Sequence, residues 1–90
     1  MDKNHARKLF NCNGSQPVLG VLGGSQGSAS LNHHFKQQYK NYTDSNIKIL
    51  WQCGKTDYEL LKKTINVENV HLIPFLNDMG AFYSAVDLIV

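Results

Sequence analysis

The sequence predicts an α/β fold, a Rossmann-like parallel sheet of about four strands with helices on both faces. Three observations predict it. Short apolar runs alternate with amphipathic stretches along the chain, the runs are apolar at successive positions, and a glycine-rich turn follows the first of them. Strands covered by helices on both faces read as such continuous runs, and parallel strands need a helical crossover between them. The implied order is α-β-α-β-α-β-α-β, with right-handed crossovers.

A short leading helix over about 3–11 brings Ala6, Leu9 and Phe10 together, and Asn13-Gly14 is placed to stop it. The first strand is the run Pro17-Val18-Leu19-Gly20-Val21-Leu22, ended by Gly23-Gly24. Leu31, Phe35, Tyr39 and Tyr42 then line one face of a helix over about 28–41, followed by a polar loop over 41–46. The second strand is Ile47-Lys48-Ile49-Leu50-Trp51-Gln52-Cys53, in which Trp51 and Cys53 are expected in the core. Thr56 with Glu59 reads as a capping box for a third helix whose apolar stripe is Tyr58, Leu61 and Ile65. Lys62 and Lys63 fall on its solvated face. Val70-His71-Leu72-Ile73-Pro74-Phe75 is the third strand. Asn77 or Asp78 caps a fourth helix with Met79, Phe82, Tyr83 and Val86 as its expected buried face, and Asp87-Leu88-Ile89-Val90 opens a fourth strand.

Composition bounds what such a chain can do. Ninety residues bury only about 60–65% of their unfolded surface, which limits the chain to one small domain and excludes a two-lobed enzyme. No run approaches the roughly 20 apolar residues that cross a bilayer, and the polar start from Met1 to His5 has no secretory pattern. The isoelectric point near 8.6 comes from scattered lysines, so nucleic acid is not an expected partner. Cys12 and Cys53 are too few for a disulfide framework or a metal set, and read as reduced thiols of a cytoplasmic protein. The strand pattern at Leu88-Ile89-Val90 breaks off early, so the chain reads as a piece of something longer.

The segment with chemical potential is Gly23-Gly24-Ser25-Gln26-Gly27-Ser28, between the first strand and its helix. Ligands of open parallel sheets bind beyond the carboxyl ends of the strands. Glycines allow close backbone approach there. The unpaired amides of the helix's first turn, backed by the positive end of its dipole, suit a phosphate or diphosphate. Ser25 adds a hydroxyl. The bland alternative is a tight strand-to-helix turn that binds nothing. The loop after the third strand, Phe75-Leu76-Asn77-Asp78, faces the same crevice; it either contacts a ligand's base or only caps its helix.

Other motifs compete less well. The glycines do not fit G-x-G-x-x-G, and Gly54-Lys55-Thr56 lacks the earlier glycine of a P-loop, since Ile49 stands there. Gly23-Gly24-Ser25-Gln26-Gly27 does fit the G-x-S-x-G elbow of serine hydrolases. A triad then requires Asp44, Asp57 or Glu68 followed by His71, and His71 falls near the start of a strand, at the wrong end. His33-His34 reads as a solvated helix face, because no metal-ligand partner lies at helical spacing.

Taken in order, the glycine loop, Trp51-Gln52-Cys53-Gly54-Lys55, Pro74-Phe75-Leu76-Asn77-Asp78-Met79 and Tyr83-Ser84-Ala85-Val86-Asp87-Leu88-Ile89-Val90 resemble the carboxyl-terminal domain of MurG-type UDP-N-acetylglucosamine transferases. The resemblance spans about 6–90. It implies that residues 1–90 are a partial UDP-sugar-binding domain, shortened at both ends, of a two-domain GT-B glycosyltransferase. Such an enzyme moves N-acetylglucosamine from UDP-N-acetylglucosamine to lipid I, giving lipid II for peptidoglycan at the cytoplasmic face of the bacterial inner membrane. By resemblance, Ser25 contacts the donor and Leu76 lines the uracil site through its backbone, with Gly24, Gln26 and Gly27 completing the substrate-binding set. No metal, cofactor or catalytic residue is implied within these residues. The lipid acceptor and the membrane would be met by the amino-terminal domain, which is absent here, as are the family's Asn-Pro-Val-Arg segment and the glutamate and glutamines that read ribose and sugar. Alone, the fragment is expected to be inactive. A non-catalytic half of a split transferase is the alternative, and a serine esterase a third reading.

Overall fold

In a computed structural model, residues 2–12, 14–23 and 29–90 are described. The element order is α1 (Lys3–Leu9), β1 (Val18–Leu22), α2 (Ala29–Thr43), β2 (Lys48–Gln52), α3 (Lys55–Thr64), β3 (Val70–Ile73), α4 (Met79–Ala85) and β4 (Leu88–Ile89), in the predicted alternation. The four strands form one sheet in the order β3-β2-β1-β4, and every pair is parallel. Leu19 stands between Ile49 and Leu88, while Leu50 stands between Gly20 and His71.

Alternation along the strands divides the core in two. Leu19, Val21, Ile49, Trp51 and Cys53 point to one face, where α2 and α3 bring Phe35, Leu61 and Ile65. Val18 and Leu50 point to the other, where α1 and α4 bring Ala6, Phe82, Ala85 and Val86. The runs are continuously apolar because each parity of residue has a helix layer to meet. Gly20 allows the second layer to close. A Cβ there would lie 2.9 Å from Phe82 Cζ and 2.9 Å from Val86 Cγ1, so only glycine lets α4 approach the central strand this closely.

Several local expectations are corrected. β3 is half-buried throughout and β4 is exposed, because they are the edges of the sheet, so burial on both faces holds only for β1 and β2. α3 starts before Thr56, with Gly54 at its cap at φ 89 and no side-chain cap bond; Thr56 is therefore helical and the capping box does not form. α2 continues through Thr43, and the chain reverses at Asn46 at φ 65, which shortens the expected 41–46 loop.

The fourth helix buries Ala81, Phe82 and Ala85, leaving Met79 and Tyr83 exposed. With α4 pressed onto Gly20, small alanines suit the contact better than the larger neighbours. Asp78 caps it as expected, accepting from the Ala81 amide at 3.0 Å. α1 ends earlier than Asn13-Gly14, through Phe10 and an Asn11 at φ 58, and Leu9 is exposed.

The residue buried on α1 beside Ala6 is Arg7. Its Nε donates to the Ala85 carbonyl at 2.9 Å, Nη1 to the Gly14 carbonyl at 3.1 Å and Nη2 to Asp87 Oδ2 at 2.8 Å. Asp87 also accepts from the Val18 amide at 2.8 Å and from Lys3 Nζ. One carboxylate thus joins α1, the start of β1 and the turn into β4.

Candidate functional site

The strand order places the site. Connections from β1 run through α2 to β2 on one side, whereas β4 flanks β1 on the other, so the sheet's order reverses at β1. In open parallel sheets the crevice outside the carboxyl ends of the strands, at this reversal, is where ligands bind. The glycine loop leaves β1 there. Gly24, Ser25, Gln26 and Gly27, four of the five expected binding residues, lie outside the described residues. Both anchors of the loop are described: Gly23 at its entrance, and α2 from Ala29 at its exit.

Those anchors are built around Asn32, on the first turns of α2, only 6% exposed. Its Oδ1 accepts from Trp51 Nε1 at 2.8 Å. Its Nδ2 donates to the Cys53 carbonyl at 2.9 Å and to Asp57 Oδ2 at 2.9 Å. An indole N–H only donates, and a carbonyl and a carboxylate only accept, so these partners fix which end of the amide faces which way. Gly23 lies directly on this amide: a Cβ there would sit 2.0 Å from Asn32 Oδ1 and 3.2 Å from Trp51 Nε1. The Gly23 amide meanwhile extends the ladder by donating to the Gln52 carbonyl at 2.8 Å. Gly23 is glycine because its neighbour's side chain occupies the place of a Cβ.

The rest of the crevice floor comes from β2, β3 and the turns after them. The Cys53 amide donates to the Ile73 carbonyl at 2.9 Å, tying the two strand ends together. Lys55, the first residue of α3, holds its ammonium 4.7 Å from the centre of the Phe75 ring, a cation–π contact across the mouth. Phe75 remains 47% exposed. Leu76, the fifth expected binding residue, is half-buried with its side chain packed against the cluster containing Leu50 and Phe82.

Other candidates are resolved by position. His71 is mid-strand on β3, level with Leu50 and Gly20, about 10 Å back along the sheet from the loop's entrance at Gly23. Its Nε2 is buried with no hydrogen-bond partner among the described residues. Burial, helped by Lys48 and opposed by Glu68, lowers its pKa. Burial likewise pushes the Cys53 thiol up to about 11 and raises Cys12, which makes both poor nucleophiles. His33 and His34 are exposed, as expected of a solvated face. Among the described residues no group of three metal-ligating side chains converges. An apolar recess of about 140 Å³, lined by Pro17, Tyr42, Ile47 and Leu88 among others, lies at the opposite, amino-terminal end of the strands.

Sequence reasoning missed Asn32, and weighed Asp57 only as a triad acid. An asparagine next to Leu31 and one helical turn before Phe35, bordering the predicted apolar stripe, was the available signal.

Sheet order, flanking helices and a glycine loop at the reversal define an open, doubly wound α/β domain of the kind that binds nucleotides. More narrowly, residues 18–90 match the glycosyltransferase family 28 C-terminal domain, and the chain belongs to that family. The chain is similar to proteins named UDP-N-acetylglucosamine--N-acetylmuramyl-(pentapeptide) pyrophosphoryl-undecaprenol N-acetylglucosamine transferase. It is 30% identical to that of Flavobacterium psychrophilum, with 98% of this chain and 24% of the relative aligned. With that of Cytophaga hutchinsonii it shares 34% identity, over 94% of this chain and 23% of the relative. With that of Chlorobium phaeobacteroides it shares 33%, over 100% of this chain and 25% of the relative. The chain therefore spans about a quarter of the length of these relatives. No solved structure matches it significantly.

Proposed function

We propose that residues 1–90 form part of the UDP-N-acetylglucosamine site of a glycosyltransferase that passes N-acetylglucosamine to lipid I, making lipid II for peptidoglycan. The observation that carries the reading is the glycine loop leaving the central strand at the sheet reversal, in a chain whose family and relatives are transferases. Amides of Gly24 to Gly27 and the Ser25 hydroxyl hold the diphosphate, backed by the positive end of the α2 dipole. As the glycosidic bond breaks, negative charge grows on the departing UDP, and fixed donors stabilise it more in the transition state than in the ground state. The backbone at Leu76 meets the uracil. Lipid I and the membrane's cytoplasmic face are engaged by parts of the relatives outside the matched quarter; no helix among the described residues is long and apolar enough to cross a membrane.

The test is a chimera in which residues 1–90 replace the matched quarter of the Flavobacterium psychrophilum relative. It is expected to transfer N-acetylglucosamine. Ser25→Ala should then lower kcat/KM for the donor about tenfold or more, the loss of one hydrogen bond to a charged group. An S25A chimera with unchanged donor kcat/KM would remove the basis for the assignment.

A further inference from the structure

The Asn32 amide touches both ends of the glycine loop's frame: it grows from the helix at the loop's exit and lies against Gly23 at its entrance. It is also fastened to two further elements, β2 through Trp51 and Cys53 and α3 through Asp57. Both of its N–H donors, and one acceptor position of its oxygen, are used inside the protein. With no N–H to spare for an anionic ligand and only 6% of its surface exposed, it acts on one through the backbone it holds. We infer that Asn32, locked by Asp57, is a positioning residue that sets the span between Gly23 and α2, and through it the diphosphate-binding geometry of the loop. This rests on the donor-site reading above and adds the residues that preorganise it.

The mechanism is preorganisation. Loop amides bind an anion well only when they converge before it arrives, since ordering them on binding costs affinity. A frame that joins both anchors to the sheet end and to a second helix removes that cost. Trp51 gives the frame a built-in reporter. It is the chain's only tryptophan, fully buried, and its indole N–H ends on the Asn32 oxygen.

The experiment is a titration of the isotopically labelled 90-residue chain with UDP, following backbone amides and the single indole N–H by NMR. In the wild-type chain, amides over 23–32 and the Trp51 indole are expected to shift on one binding curve. Asn32→Asp keeps an oxygen for the indole but turns a second oxygen toward the Cys53 carbonyl and the Asp57 carboxylate. It should weaken UDP by about tenfold or more, the scale typical of losing an outer partner that orients ligand-holding groups.

In N32D/D57N the new amide donates to the carboxylate at position 32, and much of the affinity should return; a merely weakened fold gives no such rescue. Asp57→Ala, which leaves the Trp51 and Cys53 bonds intact, provides a milder variant should N32D not fold. A folded N32D or D57A chain with the wild-type Kd overturns the inference while leaving the donor site standing. Absence of any shift in the wild-type chain at millimolar UDP overturns both.

Discussion

Replacing Arg7 with alanine tests the most consequential polar contact in the fold. The substitution removes three hydrogen bonds, and their settings differ. The Ala85 carbonyl is buried with the guanidinium, so its loss leaves an acceptor without water, at about 1.5–3 kcal/mol. Asp87 is 34% exposed at its side chain and keeps Lys3 and the Val18 amide, so this part is discounted to about 0.5–1 kcal/mol. Gly14 is exposed, and its carbonyl turns to water at little cost. The expected loss is about 2–4 kcal/mol, a large share of the roughly 5–15 kcal/mol that holds a domain together. Equilibrium urea unfolding followed by circular dichroism should show the midpoint falling by about 1–3 M at unchanged slope. Lys3→Ala, which touches only the exposed oxygen of Asp87, should cost about 1 kcal/mol or less. An R7A chain within 1 kcal/mol of wild type, or K3A as costly as R7A, would refute this account of the clasp.

Stability should also fall with acid in two stages. Burial lowers the His71 pKa, so its contribution is complete above the free value near 6.5 and is lost as pH falls through the lowered value. Lys3, then the Val18 amide, lower the Asp87 pKa, so its contribution is present above about 3.9 and lost as pH falls below it. Urea midpoints at pH 8, 5 and 3 should therefore decrease stepwise, and His71→Leu should flatten the first step alone; an unchanged first step would exclude the histidine. Gly20→Ala, which forces a Cβ within 2.9 Å of Phe82 and Val86, should cost about 1–3 kcal/mol by chemical denaturation. Adding Phe82→Leu/Val86→Ala should cost less in the Gly20→Ala background than in wild type, and equal costs in the two backgrounds would place the strain elsewhere.

Element order and the partition of the core were legible because they rest on periodicity. Val18 to Leu22 and Ile49 to Trp51 are apolar at successive positions, and each parity found its helix layer. What escaped were matters of neighbourhood. Met79 and Tyr83 fit the apolar stripe as Phe82 does, but the tertiary contact at Gly20 decides that α4 turns its alanines inward. Thr56 and Glu59 satisfied a capping pattern, yet a cap also needs the helix to begin at that threonine, and the backbone at Gly54 starts it earlier. Arg7 and Asn32 were not singled out, because burial of a polar side chain depends on partners far along the chain: residue 85 for one, residues 51 and 57 for the other. The place of the site at the carboxyl end of β1 was readable from strand, glycines and helix. Its supporting amide was not.

The clasp between Arg7 and Asp87 spans 80 residues of chain. Bringing together ends so far apart costs about 4 kcal/mol of closure entropy beyond a constant term, a cost that only prior assembly of the sheet lowers. A ribosome releases the first helix long before it makes the aspartate. Arg7 therefore cannot close its clasp until α4 and Asp87 have both been made, however early its own helix forms.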